Sequence, residues 1–226
     1  MTAAIAMSTR SLFAVVFEVK PDAAHADEYL KIAGSLRPAL EKIPGFLENE
    51  RFRSRSRHGY LLSLSLWENE KAIVHWRTLE QHHAAQVRGR QDVLDDYHIR
   101  VGEVTRVAGT HANRSVGWVR QDRTEADEAV ALTIIDGTLA PSSSLWSFAE
   151  DARSRIVDGD VFDHISTSGR AAILMSWRSE QEAEDFANEA IRRNDAEASV
   201  YAIRVVRDYG MADRREAPQY YPPRPL

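Results

Sequence analysis

The stretch Tyr60–Trp67 (YLLSLSLW) runs straight into Glu68–Trp76 (ENEKAIVHW), and the chain repeats that design at Arg170–Trp177 (RAAILMSW) and Arg178–Phe186 (RSEQEAEDF). In both places an apolar strand ends in a tryptophan, Trp67 or Trp177. A second aromatic, Trp76 or Phe186, follows nine residues on. Each stretch then leads to a matching strand, Tyr97-His98-Ile99-Arg100-Val101 in the first and Tyr201-Ala202-Ile203-Arg204-Val205 in the second. We read these as two diverged copies of one small α+β unit.

Working outward, Leu12–Val19 is β-branched and aromatic, and predicts a strand. Across Asp22–Ile43, Ala26, Tyr29, Ala33, Leu36, Leu40 and Ile43 recur at steps of three and four, which predicts a helix with one apolar face. Pro44-Gly45 stops it. Phe46–Ser54 reads as a second strand, with His58-Gly59 in the turn to the third. Asn69–Leu79 and His82–Arg88 read as helical, and Tyr97–Val107 as the fourth strand. This is the β-α-β-β-α-β order of a ferredoxin-like unit. The second copy follows with strands at Val130–Asp136, Val161–Ser168, Arg170–Trp177 and Tyr201–Arg207, and helices at Ser144–Val157 and Glu180–Ile191. The expected fold class is therefore α+β: two ferredoxin-like units whose sheets close one intramolecular dimeric α+β barrel. The expected division is a disordered N-terminus (1–10), a first domain (11–108) and a linker (109–128) with room for an extra strand at Ser115–Gln121. A second domain (129–208) and an extended Pro/Tyr-rich tail (209–226) complete it.

At 226 residues the chain can hold two domains of about 100 residues, each with its own core. A formal charge of −5 argues against nucleic acid as a partner, since phosphate contacts need clustered Lys and Arg. The absence of cysteine excludes disulfides, thiolate metal sites and a Cys nucleophile. No apolar run approaches the ~20 residues that cross a bilayer, and the first residues lack the pattern of a signal peptide, so the expected location is cytoplasmic, away from membranes.

The third strand alternates. Tyr60, Leu62, Leu64 and Leu66 point one way, an apolar set suited to packing under helices. Leu61, Ser63, Ser65 and Trp67 point the other way and suit the wall of a cavity. In the second copy the latter set becomes Ala171, Ile173, Met175 and Trp177, so the hydroxyls are replaced by bulk. A site is therefore expected in the first half, with the second half as its other wall.

The segment Gly45–Gln86 resembles the antibiotic-biosynthesis-monooxygenase domain of the dimeric α+β barrel superfamily. It has a helix ending in Pro-Gly-Phe, a strand, a short turn, a strand ending in Trp-Glu, an acidic helix start, a further Trp and a His-rich turn. The likeness covers Leu12–Val107 well and Val130–Arg207 weakly. It implies a monooxygenase needing no metal, flavin or other cofactor, which lets O2 attack the carbanion of a small aromatic or enolisable substrate. In such relatives the strand-ending Trp works with an Asn four positions before it. Trp67 matches the Trp, but the Asn position holds Ser63. Haem-degrading relatives use a first-strand Asn, a helix Trp and an axial His. Here Val16, Trp76 and Gln86 stand at those positions, which disfavours haem chemistry. The other reading is a non-catalytic small-ligand-binding or stress-associated barrel.

The residues expected to position substrate are thus Trp67, Ser63, Ser65 and Trp76. For proton transfer the candidates are His83 and His98, whose neutral imidazoles can accept a proton near pH 7. His75, His82 and His83 show no metal-ligand spacing, so no metal is expected, and His82 reads as a solvated helix-end residue. Arg51, Arg53, Arg55 and Arg57 recur at every second position. They serve either as a charged guard on an edge strand or as a rim for an anionic substrate group, with Arg53 the residue named for contact. A tandem chain can close its barrel internally, which leaves a homodimer open.

Overall fold

The computed structural model describes residues 11–114, 116, 121–194 and 198–219. The expected N-terminal disorder, most of the suggested strand at Ser115–Gln121 and the end of the tail lie outside the described residues. The first unit contains β1 (Phe13–Pro21), α1 (Ala26–Leu40), β2 (Phe46–Ser54), β3 (Leu61–Trp67), α2 (Glu70–Thr78), α3 (Glu80–Arg88) and β4 (Leu94–Ala108). A π-helical turn, Gly89–Val93, links α3 to β4. The second unit contains β5 (Ala131–Thr138), α4 (Ser144–Asp151), β6 (Asp158–His164), β7 (Arg170–Trp177), α5 (Glu180–Arg193) and β8 (Ser199–Gly210).

Local chemistry places the helix starts after the two tryptophan-ending strands. The Asn69 side chain accepts from Ala72 N at 3.0 Å and caps α2, while Ser179 caps α5 in the same way. Gly45, at φ +88°, makes the left-handed turn between α1 and β2 that a side chain would resist.

Every strand pairing is antiparallel, and the strands close in the order β1-β3-β2-β6-β7-β5-β8-β4. Each half has the ferredoxin-like order. The two halves are joined by a long seam, β4 to β8 from His98↔Gly210 to Ala108↔Val200, and a short one, β2 to β6 over Phe52–Ser54. The fold is thus an α+β barrel of two four-stranded sheets.

The barrel interior is a single apolar core fed by all eight strands and by no helix. It includes Ala14, Val16, Phe52, Leu62, Leu64, Leu66, Val104, Leu132, Ile134, Phe162, Leu174, Tyr201 and Ile203. An eight-stranded barrel is just narrow enough for side chains to fill. This corrects the expected sidedness of β3: Leu62, Leu64 and Leu66 face the barrel interior, and Ser63, Ser65 and Trp67 face the helices. A dry interior shared by two sheets demands the more apolar face, whereas the helix layer can leave space. Further along the same inward rows the side chains become charged. Arg100 and Arg57 both pair with buried Glu18, Arg57 also holds Asp160 at 2.9 Å, and Arg100 donates to Ser176 Oγ at 2.7 Å. Burial opposes the charge on Glu18, but Arg100 and Arg57 outweigh it and hold its carboxyl below the usual range.

The long seam leaves no room at Gly102, where an added Cβ would sit 2.3 Å from Arg204 O and 2.5 Å from Ile203 Cγ2. Gly102→Ala should lower unfolding free energy by about 1–3 kcal/mol through overpacking. Gly34→Ala, with nothing within 4 Å on α1, should raise it by about 0.5–1 kcal/mol. Urea midpoints of the two variants check the contrast; a neutral Gly102→Ala would refute the close approach of β4 and β8.

Candidate functional site

The helix-facing side of the first sheet and the helices above it enclose a cavity of about 250 Å³. That is just below the ~300–1,000 Å³ range of ligand pockets. Its floor comes from β1 (Val15, Phe17), β2 (Asn49, Arg51), β3 (Ser63, Ser65, Trp67) and β4 (Tyr97, Ile99, Val101), and Tyr209 of β8 extends it. Tyr29, Ala33 and Leu36 of α1, Trp76 and Arg77 of α2, and His82 and Gln86 of α3 form the roof. Pro218 and Gln219 of the C-terminal segment close one side. That segment is tied down by Arg214, which donates to Tyr97 Oη at 2.7 Å and to Gln219 O at 3.0 Å. The second sheet is therefore not the opposite wall: the cavity lies under the first unit's own helices, outside the barrel interior.

The second unit shows why only the first is hollow. On its helix-facing side Ile173, Met175 and Trp177 meet Phe186, Leu145 and a run of buried alanines. Phe148 stacks on Phe186 at 4.5 Å, and Phe186 lies 5.1 Å from Trp177. What remains there is about 60 Å³. In the first unit Ser63 and Ser65 stand opposite the small Ala33, and Trp76 turns to stack on His82 at 4.2 Å instead of filling the centre.

Ser63, Ser65, Trp67 and Trp76 come together on this cavity. Trp67 is 1% exposed, packs edge-on against Phe46 at 5.2 Å and donates its Nε1–H to Ser65 Oγ at 2.9 Å. Its indole N–H is thus already spent on Ser65. Ser63 is held from the neighbouring strand instead: its Oγ accepts from Asn49 Nδ2 at 2.8 Å, which leaves its own O–H to donate, as it does for Ser65. Asn49 also donates to Leu64 O at 3.2 Å, so both its amide hydrogens are engaged. Asn49 escaped the sequence reading because it lies on a different strand from Trp67. The signal for it is the cross-strand register, Asn49↔Ser65 and Arg51↔Ser63.

Three candidates lie elsewhere. His83 is exposed, on the outer side of α3, because a one-residue step on a helix turns a side chain by 100°. It is His82 that lines the cavity. His98 points to the other face of β4, with its Nε2 2.5 Å from Asp208 Oδ1. Arg53 is exposed and lies off the cavity, toward the turn into β3. Arg55 binds Asp163 across the short seam and Arg57 enters the Glu18 cluster, so of the four alternating arginines only Arg51 reaches the cavity. The position that haem-degrading relatives use on the first strand, Val16, faces the barrel interior, away from Trp76 and Gln86. Among the described residues there is no cluster of three or more potential metal ligands.

His82 has a defined state. Its Nδ1 lies 3.0 Å from Trp76 O and 3.3 Å from the Gln86 amide nitrogen; a carbonyl only accepts, so the shorter contact assigns the proton to Nδ1 and the lone pair to Nε2. Burial pushes its pKa down to about 4, outweighing the opposing effect of that hydrogen bond. Burial also pushes the Tyr209 phenol up to about 12.

The family model for antibiotic biosynthesis monooxygenase matches residues 12–88, the segment that builds most of this cavity. A protein of Pyricularia oryzae, jasmonate monooxygenase ABM, is 38% identical over 225 residues, covering 94% of this chain and 99% of its own. The chain belongs to the antibiotic biosynthesis monooxygenase family. The uncharacterized protein YqjZ of Bacillus subtilis matches a shorter part, at 38% identity over 63 residues, 28% of this chain and 54% of that protein. A structure of aldoxime dehydratase OxdRE with butyraldoxime covers 88% of this chain and 80% of its own at TM-score 0.57 and 10% identity. That is a likeness of fold alone, and it spans both units.

The state of His82 has a measurable consequence. The unfolded chain protonates this ring as pH falls through about 6.5, whereas the folded chain resists until about 4. Stability should therefore fall across that window, and His82→Gln should remove part of the fall. Urea midpoints at pH 7, 5.5 and 4 check this; equal slopes for the two proteins would contradict the burial of the ring.

Proposed function

We propose that this chain is a cofactor-independent monooxygenase that acts on a small aromatic or enolisable compound held in the first-unit cavity. The observation that carries this reading is a largely apolar cavity lined by both Ser63 and His82, polar groups of opposite kind. The Ser63 O–H, aimed by Asn49, is a donor for the oxygen of an enolate or phenolate. The His82 Nε2 is an acceptor for the proton removed. Trp67 and Trp76 supply flat apolar walls. His82 takes the role that sequence gave to His83 or His98.

The chemistry balances without an added reductant. His82 removes a proton from an activated CH₂, and the carbanion reduces O2 to a carbon-bound peroxide. Loss of the second C–H proton with O–O cleavage leaves C=O in the product and one molecule of water. Overall, CH₂ and O2 become C=O and H₂O. The relative named for jasmonate adds one candidate, since jasmonate is a carboxylic acid built on an enolisable cyclopentanone.

Oxygen uptake with anthrone, hydroxynaphthalenes and jasmonate tests this. One O2 should be consumed per product without hydrogen peroxide. Ser63→Ala should lower kcat by about 100-fold, the usual cost of one oxyanion donor, and His83→Ala should leave it unchanged. A second reading, a ligand-binding barrel without turnover, is favoured by Trp67 being tied to Ser65 rather than free for a substrate. Binding of these compounds without oxygen uptake would establish that second reading.

A further inference from the structure

Of the four alternating arginines, two, Arg51 and Arg53, hold no carboxylate among the described residues, and Arg53 lies exposed and off the cavity. Arg55 and Arg57 each hold a carboxylate. Arg51 lines the cavity, and no acidic side chain among the described residues lies within ion-pair reach of it. Its Nε is buried without a hydrogen-bond partner, and its Nη2 donates to Ala33 O at a long 3.4 Å. The Tyr29 phenol also hydrogen-bonds to it, so the partners Arg51 has here are uncharged. A guanidinium is costly to desolvate without an opposite charge, and its planar fork of donors matches a carboxylate.

We infer that Arg51 is the anchor for a substrate carboxylate, so that the substrate class is a small oxo acid with an apolar body. This rests on the reading of the cavity as the substrate site. Register sharpens it: Arg51 is paired with Ser63 across β2 and β3. Side chains so paired start about 5 Å apart, so the carboxylate and the enolisable carbonyl of the substrate sit a few bonds from each other. A neutral polycyclic substrate would leave the Arg51 charge unanswered. Arg77, on the roof, is the rival anchor, since its Nε is also buried without a partner.

Binding, read apart from turnover, tests the assignment. Calorimetry compares jasmonate with methyl jasmonate, and 1-naphthaleneacetate with its methyl ester, on wild type, Arg51→Gln, Arg51→Lys and Arg77→Gln. Wild type should bind each acid about 10- to 100-fold more tightly than its ester, as one charged hydrogen-bonded pair supplies. Arg51→Gln should bring the ratio near one with ester affinity unchanged, and Arg51→Lys should keep part of the preference. A ratio near one in wild type, a preference that survives Arg51→Gln, its collapse in Arg77→Gln alone, or no binding of either acid would each overturn the proposal. Acid preference without oxygen uptake would uphold the anchor and sink the monooxygenase reading; uptake without acid preference would do the reverse.

Discussion

One apolar interior shared by eight strands is the constraint on which everything else in this protein depends. Neither sheet can bury its inner face alone, because the residues opposite Leu62, Leu64 and Leu66 belong to the other unit: Leu132, Ile134, Phe162 and Leu174. Roughly 25 cal/mol per Å² of buried apolar surface makes such a face the main source of stability in a sheet. Closure through β4–β8 and β2–β6 also removes the exposed strand edges that an open four-stranded sheet presents. The Arg100–Glu18–Arg57–Asp160 cluster extends the inward rows with charges that are paired, as buried charges must be.

Because the interior already locks the two sheets, the helix layers are free to differ. The second unit uses that freedom to pack, with Phe148, Phe186 and Trp177 filling the space over β7. The first leaves a void over β3 and rims it with groups that have something left to offer: the Ser63 O–H, the Nε2 of His82 and Arg51. The two tryptophans that mark the repeat in the sequence are both core residues, each with its indole N–H already bonded, Trp67 to Ser65 and Trp177 to Thr133. Of the two, only Trp67 lines the cavity.

Much of the architecture was legible along the chain, because strand alternation and helix periodicity are local. The order of elements, the tryptophan-ended strands, the helix starts at Asn69 and Glu180 and the barrel itself follow from them. The first-half location of the cavity was legible too, from Ser63 and Ser65 set against Ile173 and Met175. What misled was sidedness. The apolar row of β3 looked like a helix-packing face, but a barrel buries both faces of its sheets, and the inner one claims the drier set. The His-rich turn misled for a similar reason: periodicity alone does not say which of two adjacent histidines meets the sheet.

By itself the sequence determined the fold class, the two-unit plan and the half of the chain that carries the cavity, since these depend on patterns within single elements. Tertiary structure alone decided that the cavity lies between sheet and helices, and that His82 rather than His83 faces it. It also decided that Asn49 orients Ser63 and that Arg51 alone of its ladder points in. Each of these is set by a cross-strand register or a helix rotation, and those are fixed only when the two sheets close on one another.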